Sequence, residues 1–513
     1  MRRPHRRTVS LVSVVAALAL LVSGCSFFAP EAWTPPPSAT PDVSGVSADL
    51  VPFYGQEVAW ESCVAEEQFD CASVRVPRDW NAPAAGDLEI AVIRHRADDG
   101  EPIGSLLTNP GGPGVSGVDT VRQSLSGVVG SELRQNYDVI GFDPRGVGAS
   151  TAVNCYDGAD LDAYLFDIPE AERGTDAWEA ELEERDAAFA AACEANSDGI
   201  LPFISTENAA RDLDVIRAVL GETTLDYLGY SWGTALGAQY AQLYPDRVGR
   251  MVLDGALDPS VPASLVGVGQ MEGFQRSLEA FLASCLEDDD CPFRGTVDDA
   301  LADLDALFAT VDARPLTAAD GRELGADTLM TAMLAALYSP TSWSYLQLAL
   351  VGVQDGDPAS AFTLADAYSD RQGGSYIGNS EEAFPAYNCM DYPLSTEAEA
   401  ESAAVELERV APLAAEYLLG PDGCEAWPYP PTGKRERVTA EGAAPILVIG
   451  TTSDPATPYE WAVSLAEQLQ SGVLITRVGE GHTGYNKGNA CVDGAVEAYL
   501  VEGDVPEADV RCE

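Results

Sequence analysis

The sequence predicts an α/β fold in which a mainly parallel central sheet is covered by helices on both faces and interrupted by a large helical insertion. Three observations carry this reading. Apolar runs alternate with helical patterns from Leu88 to Leu253 and return at Pro445, a rhythm that calls for parallel strands joined by crossover helices. Between Asp258 and Ala411 that rhythm gives way to helical spacing alone. One apolar run, Leu225–Tyr230, ends in Gly229-Tyr230-Ser231-Trp232-Gly233 ahead of an Ala-rich helical stretch, which sets a serine on a sharp strand-to-helix turn.

A chain of 513 residues exceeds what one core usually holds, so a core with an insertion is expected. The first residues read as an export signal. Arg2, Arg3, Arg6 and Arg7 precede an apolar run, Val9 to Val22, that is too short to span a bilayer comfortably. The run ends in Leu21-Val22-Ser23-Gly24-Cys25, which resembles a bacterial lipobox and implies a lipidated Cys25. The chain divides into a signal peptide (1–24), a lipidated cysteine and Pro/Ser-rich tether (25–49), a first core segment (50–258), a helical lid (259–411) and a second core segment (412–513). The expected location is outside the cell, anchored by lipid to the outer face of the membrane or secreted.

Export decides how the cysteines are used. Eleven are present, and setting Cys25 aside leaves an even number suited to disulfides in an oxidising compartment. Short-range pairing suggests Cys63–Cys71, Cys155–Cys193, Cys285–Cys291, Cys389–Cys424 and Cys491–Cys512. The absence of Cys-x-x-Cys and a total of three histidines argue against a metal site, and no cofactor is implied. A net charge of −53 repels nucleic acid and anionic lipid surfaces as partners, leaving a peptide or protein substrate and a membrane reached only through the anchor.

Taken in order, strands are expected at Leu88–His95, Ile103–Thr108, Tyr137–Phe142, Leu225–Tyr230, Val248–Leu253, Pro445–Gly450 and Val473–Val478, with a helix at Glu207–Leu220 before the serine strand. In the insertion, helical spacing covers Phe274–Leu286, Val297–Val311, Ala326–Leu337, Trp343–Gly352 and Ala398–Val410. Gly229 and Gly233 are needed at the turn because a Cβ there would strike the neighbouring strand and helix.

A serine hydroxyl needs a base to become a nucleophile. His5 lies in the leader and His95 in an early strand, where a structural role is expected. His482, on the glycine-rich Gly479-Glu480-Gly481-His482 segment after a C-terminal strand, is the placed base. Its imidazole needs a carboxylate, and Asp454 follows the strand before it. Ser231, Asp454 and His482 thus stand in the chain order of α/β-hydrolases, each after a strand. The oxyanion needs two N–H donors. Trp232 supplies one, and the loop Asn109-Pro110-Gly111-Gly112-Pro113-Gly114 the other through Gly111 or Gly112, since proline has no N–H.

Asn109–Gly114, Gly141–Ser150, Gly229–Thr234, Asp454–Pro458 and Gly479–Gly484 resemble the secreted tripeptidyl aminopeptidase-like α/β-hydrolases, relatives of the proline iminopeptidases. The likeness runs from Leu50 to the C-terminus, including the lid segment Gly273–Phe293. It implies that Gly112 is the oxyanion donor and that short peptides are released from the N-terminus of a polypeptide; Asp143-Pro144-Arg145-Gly146, shared with the family, is read as structural, with Arg145 pinning loops. Asn109-Pro110 replaces the His-Gly-Gly of the proline iminopeptidases and favours the tripeptidyl branch. An aminopeptidase must receive an ammonium, and Glu381, Glu382 and Asp391 in the lid are the candidate receptors. Two other readings stand beside this one: a carboxylesterase or envelope endopeptidase with the same triad, and a non-catalytic hydrolase fold used for binding.

Overall fold

Ten strands form one sheet in the computed structural model, which describes residues 39–63, 68–506 and 510–513. The signal peptide, Cys25 and most of the tether lie outside the described residues. The strands are β1 (Glu61–Ser62), β2 (Phe69–Pro77), β3 (Asp87–His95), β4 (Ser105–Asn109), β5 (Asp138–Phe142), β6 (Leu225–Tyr230), β7 (Val248–Asp254), β8 (Ile446–Ser453), β9 (Gly472–Glu480) and β10 (Val510–Cys512). Their order across the sheet is β1-β2-β3-β5-β4-β6-β7-β8-β9-β10. Pairing is antiparallel from β1 to β5 along that order and parallel from β5 to β10.

The central strands are apolar without alternation because helices cover both faces. Leu106, Leu107, Val139, Ile140, Leu228, Val252, Leu253, Leu447, Val448 and Ile449 are all buried. On one face they pack with Leu213 and Ile216 of helix Thr206–Val219 and with Leu236 of helix Trp232–Leu243. On the other they meet Val121 of helix Gly117–Val128 and Val492, Val496 and Leu500 of helix Ala490–Glu502.

The expected strands and the helix before the serine all form, within a few residues. β2 was not anticipated although its burial alternates in part, and β10 is too short to give a signal. The lid is helical from Ala263–Cys285 through Glu397–Val410 and has its own apolar core, built on Phe281, Leu304, Phe308, Leu329 and Leu350. It continues past Ala411 into helix Pro412–Leu418, because Leu413 and Tyr417 are buried in that same core. A second helical insertion, Gly158–Phe166 and Asp176–Asn196, follows β5 and sends Phe166 into the lid core. Its long helix escapes the sequence pattern because only Trp178, Phe189, Ala190 and Cys193 are buried along 21 residues.

All five expected disulfides are formed. Cys491–Cys512 joins β10 to the last helix. Arg145 pins loops as expected. Wholly buried, its fork donates to both carboxylate oxygens of Asp212 at 2.7 and 2.6 Å and to the carbonyls of Pro77, Arg78 and Phe203. A bidentate pair with every remaining N–H satisfied compensates the desolvation of the charge. His95 is buried edge-on against Phe69, 5.1 Å between ring centres, and is structural. Among the described residues no helix is long and apolar enough to cross a membrane.

Candidate active site

Ser231 stands between β6 and helix Trp232–Leu243 with φ +53° and ψ −125°. Side chains rarely adopt that conformation, and it costs roughly 1–3 kcal/mol. The surroundings hold it there: the Ser231 N–H donates to the Asp254 carbonyl at 2.9 Å, and the Ser231 carbonyl accepts from the Thr234 N–H and hydroxyl at 2.8 and 2.6 Å. The two motif glycines are steric requirements. A Cβ on Gly229 would sit 2.5 Å from the Gly233 carbonyl oxygen, and one on Gly233 2.8 Å from that of Asn109.

Asp454 follows β8 and is buried. Its Oδ1 accepts from the N–H groups of Ala456 and Thr457 at 3.0 and 2.9 Å, and its Oδ2 from that of Thr483 at 3.0 Å. His482 Nδ1 lies 2.8 and 3.0 Å from the same two oxygens. A carboxylate so held keeps the imidazole in the tautomer that bares Nε2, and Nε2 is buried without a protein partner. The ring also stands beside Thr457, whose hydroxyl is 3.3 Å from Nδ1, and against the Asp254–Gly255 segment that binds the Ser231 N–H. No Ser231–His482 hydrogen bond is present; such contacts are often long before substrate binds and tighten in the reacting complex.

The structure narrows the candidate oxyanion donors. The Gly111 N–H is taken by Asn109 Oδ1 at 3.0 Å, which leaves the N–H of Gly112 as the candidate beside that of Trp232. The Trp232 N–H opens the first turn of its helix, where backbone donors have no helical partner.

Two residues beside the triad were not legible in the sequence. Tyr338, from the lid, accepts the His482 N–H on its carbonyl at 2.8 Å and sets its ring edge-on to the imidazole, 5.5 Å between centres. Asp254, at the end of β7, accepts from the N–H groups of Gly484 and Tyr485, both at 2.8 Å, and so ties down the loop that carries His482. A β-strand ending in Asp is too common a feature to have marked it.

The three lid carboxylates fare differently. Glu382 is buried and accepts from the N–H groups of Cys155 and Tyr156 at 2.6 and 2.9 Å. Asp391 accepts from the Thr206 N–H and, at 2.6 Å, its hydroxyl, which in turn accepts from the Trp232 indole N–H. Both are engaged in holding backbone in this structure. Glu381 sits beside Ser369 and near Tyr368, whose ring lies against Tyr338. None of the three lines the cleft of about 620 Å³ that opens on His482.

Residues 411–512 match the family model described as TAP-like protein. Carboxylesterase B of Mycobacterium tuberculosis is 36% identical over 99% of this chain and 99% of its own length. Serine protease Hip1 of the same organism is 33% identical over 99% and 98%. The chain belongs to the TAP-like α/β-hydrolase family. A tripeptidyl aminopeptidase of Streptomyces lividans is 31% identical, over 89% of this chain and 86% of its own. The protein is accordingly a serine hydrolase, with the peptidases of the family among its relatives.

Burial pushes the carboxyls of Asp254 and Asp391 up to about 6, against the pull of their N–H partners. The unfolded chain releases these protons near pH 4 and the folded chain only near pH 6, so between those values the fold binds more protons. Stability is therefore highest below pH 4 as far as these groups are concerned, and falls as pH rises through 6. The change is on the order of 2–3 kcal/mol per group. Melting temperature should decline from pH 4.5 to 7, and Asp254→Asn should remove its share of that slope whatever it does to the absolute value. A slope unchanged in the variant would refute the assignment.

Proposed function

We propose that the protein is an exported serine exopeptidase that releases short peptides from the N-terminus of polypeptides. The observation that carries the chemistry is the His482–Asp454 pair at 2.8 Å beside the strained Ser231 turn. Ser231 attacks the carbonyl, His482 takes its proton and returns it to the departing amine, and Asp454 stabilises the imidazolium. The N–H groups of Gly112 and Trp232 receive the oxyanion, and water then releases the acyl group. Likeness to the Streptomyces tripeptidyl aminopeptidase supports the exopeptidase reading. Five disulfides support export, with lipidation of Cys25 as the proposed anchor.

The second reading, a carboxylesterase, draws on the higher and more extensive likeness to carboxylesterase B. An exopeptidase must recognise the substrate ammonium, with Glu381 as the remaining lid candidate, whereas an esterase reading a neutral acyl group is indifferent to it. N-acetylation of a tripeptidyl anilide should lower kcat/KM by about 30-fold or more, as loss of a charge-assisted contact does. Equal turnover of the acetylated substrate would replace the exopeptidase reading with an endopeptidase or esterase one.

A further inference from the structure

The cleft beside His482 has a basic wall that the triad does not use. Arg477, on β9, and Lys487, on the turn beyond the His482 loop, both line it. This is unusual ground for cations in a chain with 82 acidic residues against 29 basic ones. Many arginines elsewhere are matched with acids, as in Arg145–Asp212, Arg322–Asp366 and Arg371–Asp162, although Arg185 and Arg435, like Arg477, bond backbone carbonyls instead. Among the described residues neither Arg477 nor Lys487 has a carboxylate within ion-pair distance, and Lys487, one of the chain's two lysines, is exposed. Arg477 donates through Nη1 to the carbonyls of Glu480 and Thr483 at 3.0 and 3.5 Å, which lays its guanidinium along the wall. Glu480, the one carboxylate lining this cleft, has Oε2 buried and unbonded and pairs with neither cation.

Resting on the hydrolase reading above, we propose that Arg477 and Lys487 form a subsite for a carboxylate on the departing part of the substrate. The side of the cleft follows from the chemistry. His482 Nε2 returns its proton to the leaving atom, so the leaving group passes against His482, and the two cations flank His482 on its own strand and loop. The acyl part stays with Ser231 and the oxyanion donors. A guanidinium and an ammonium facing one opening suit a carboxylate, which the guanidinium grips through parallel N–H bonds. The carboxylate is either the C-terminus of a short peptide or an Asp or Glu side chain just beyond the scissile bond. The overall field of the protein works against such a substrate. A preference for it can therefore come only from a local contact.

The test compares matched peptides with free N-termini: one ending in a C-terminal acid, its C-terminal amide, and amides carrying Glu or Gln after the scissile bond. Measured on the whole protein at about 0.15 M salt, where distant charges are screened, the acid should exceed the amide by about tenfold in kcat/KM. A Glu-over-Gln preference instead would assign the subsite to a side chain. Lys487→Gln should cut the favoured ratio about threefold and Lys487→Glu more, and Arg477→Gln with Lys487→Gln should erase it. Ratios cancel any general loss of turnover from loosening the His482 loop. If no peptide is cleaved, the exopeptidase reading fails. A pair of esters with and without a carboxylate in the alcohol portion then carries the same comparison and the same expected ratio. Equal turnover of charged and uncharged members, or a ratio that survives the double substitution, overturns the proposal.

Discussion

Ser231→Ala should lower kcat by about six orders of magnitude, and His482→Ala by as much, because neither residue works without the other. Asp454→Asn should cost about four. The geometry explains why this isosteric change is so damaging. Three backbone N–H groups and the ring Nδ1 all point at the Asp454 oxygens. An amide NH2 must turn either toward N–H donors, a repulsion, or toward the ring, which then presents an unprotonated Nδ1 and a protonated Nε2 that is useless as a base. The losses should be strongly non-additive, with Ser231→Ala/His482→Ala no slower than Ser231→Ala alone. A double variant that lost the product of the single effects would mean that the two residues do not act as a unit.

Gly111→Ala should cost less than the triad variants and act through different physics. A Cβ at that position would lie 2.7 Å from the Tyr230 carbonyl oxygen, 2.8 Å from Ser231 Cβ and 3.1 Å from the Trp232 nitrogen. Gly111 also has φ +103°, which L-residues avoid at a cost of about 1–2 kcal/mol. The obstructing atoms belong to the nucleophile turn itself, so the loop must retreat. Retreat breaks the Asn109 Oδ1 contact and withdraws the Gly112 N–H from the oxyanion. Loss of one such donor costs about 10²–10³ in kcat. Overpacking should also lower stability by about 1–3 kcal/mol. Wild-type kinetics and melting in Gly111→Ala would show that the loop has slack the geometry denies.

The candidate triad was legible because each member belongs to a local pattern, an apolar strand followed by a loop of distinctive composition, and β6, β8 and β9 form where those patterns stand. Choosing between Gly111 and Gly112 required the direction of the Asn109 side chain, which composition does not encode. The lid carboxylates were hard to sort for a related reason. In so acidic a chain sequence cannot separate an anion that receives a substrate from one that accepts backbone N–H groups, as Glu382 and Asp391 do. Tyr338 was beyond reach because its contact with His482 joins a lid helix to the far end of the chain, and nothing local records it. Helix Ser380–Asp391 was hidden by Pro385 in its interior, a residue that usually ends the pattern.

Everything proposed for the site depends on Ser231 being the nucleophile of an acyl-enzyme. The most direct measurement is covalent labelling with a serine-directed fluorophosphonate, read by intact mass and peptide mapping. Labelling should give one adduct per chain, on the peptide containing Ser231, with loss of activity in step with labelling and no adduct in Ser231→Ala. An adduct on another residue, or labelling that persists in Ser231→Ala, would contradict it.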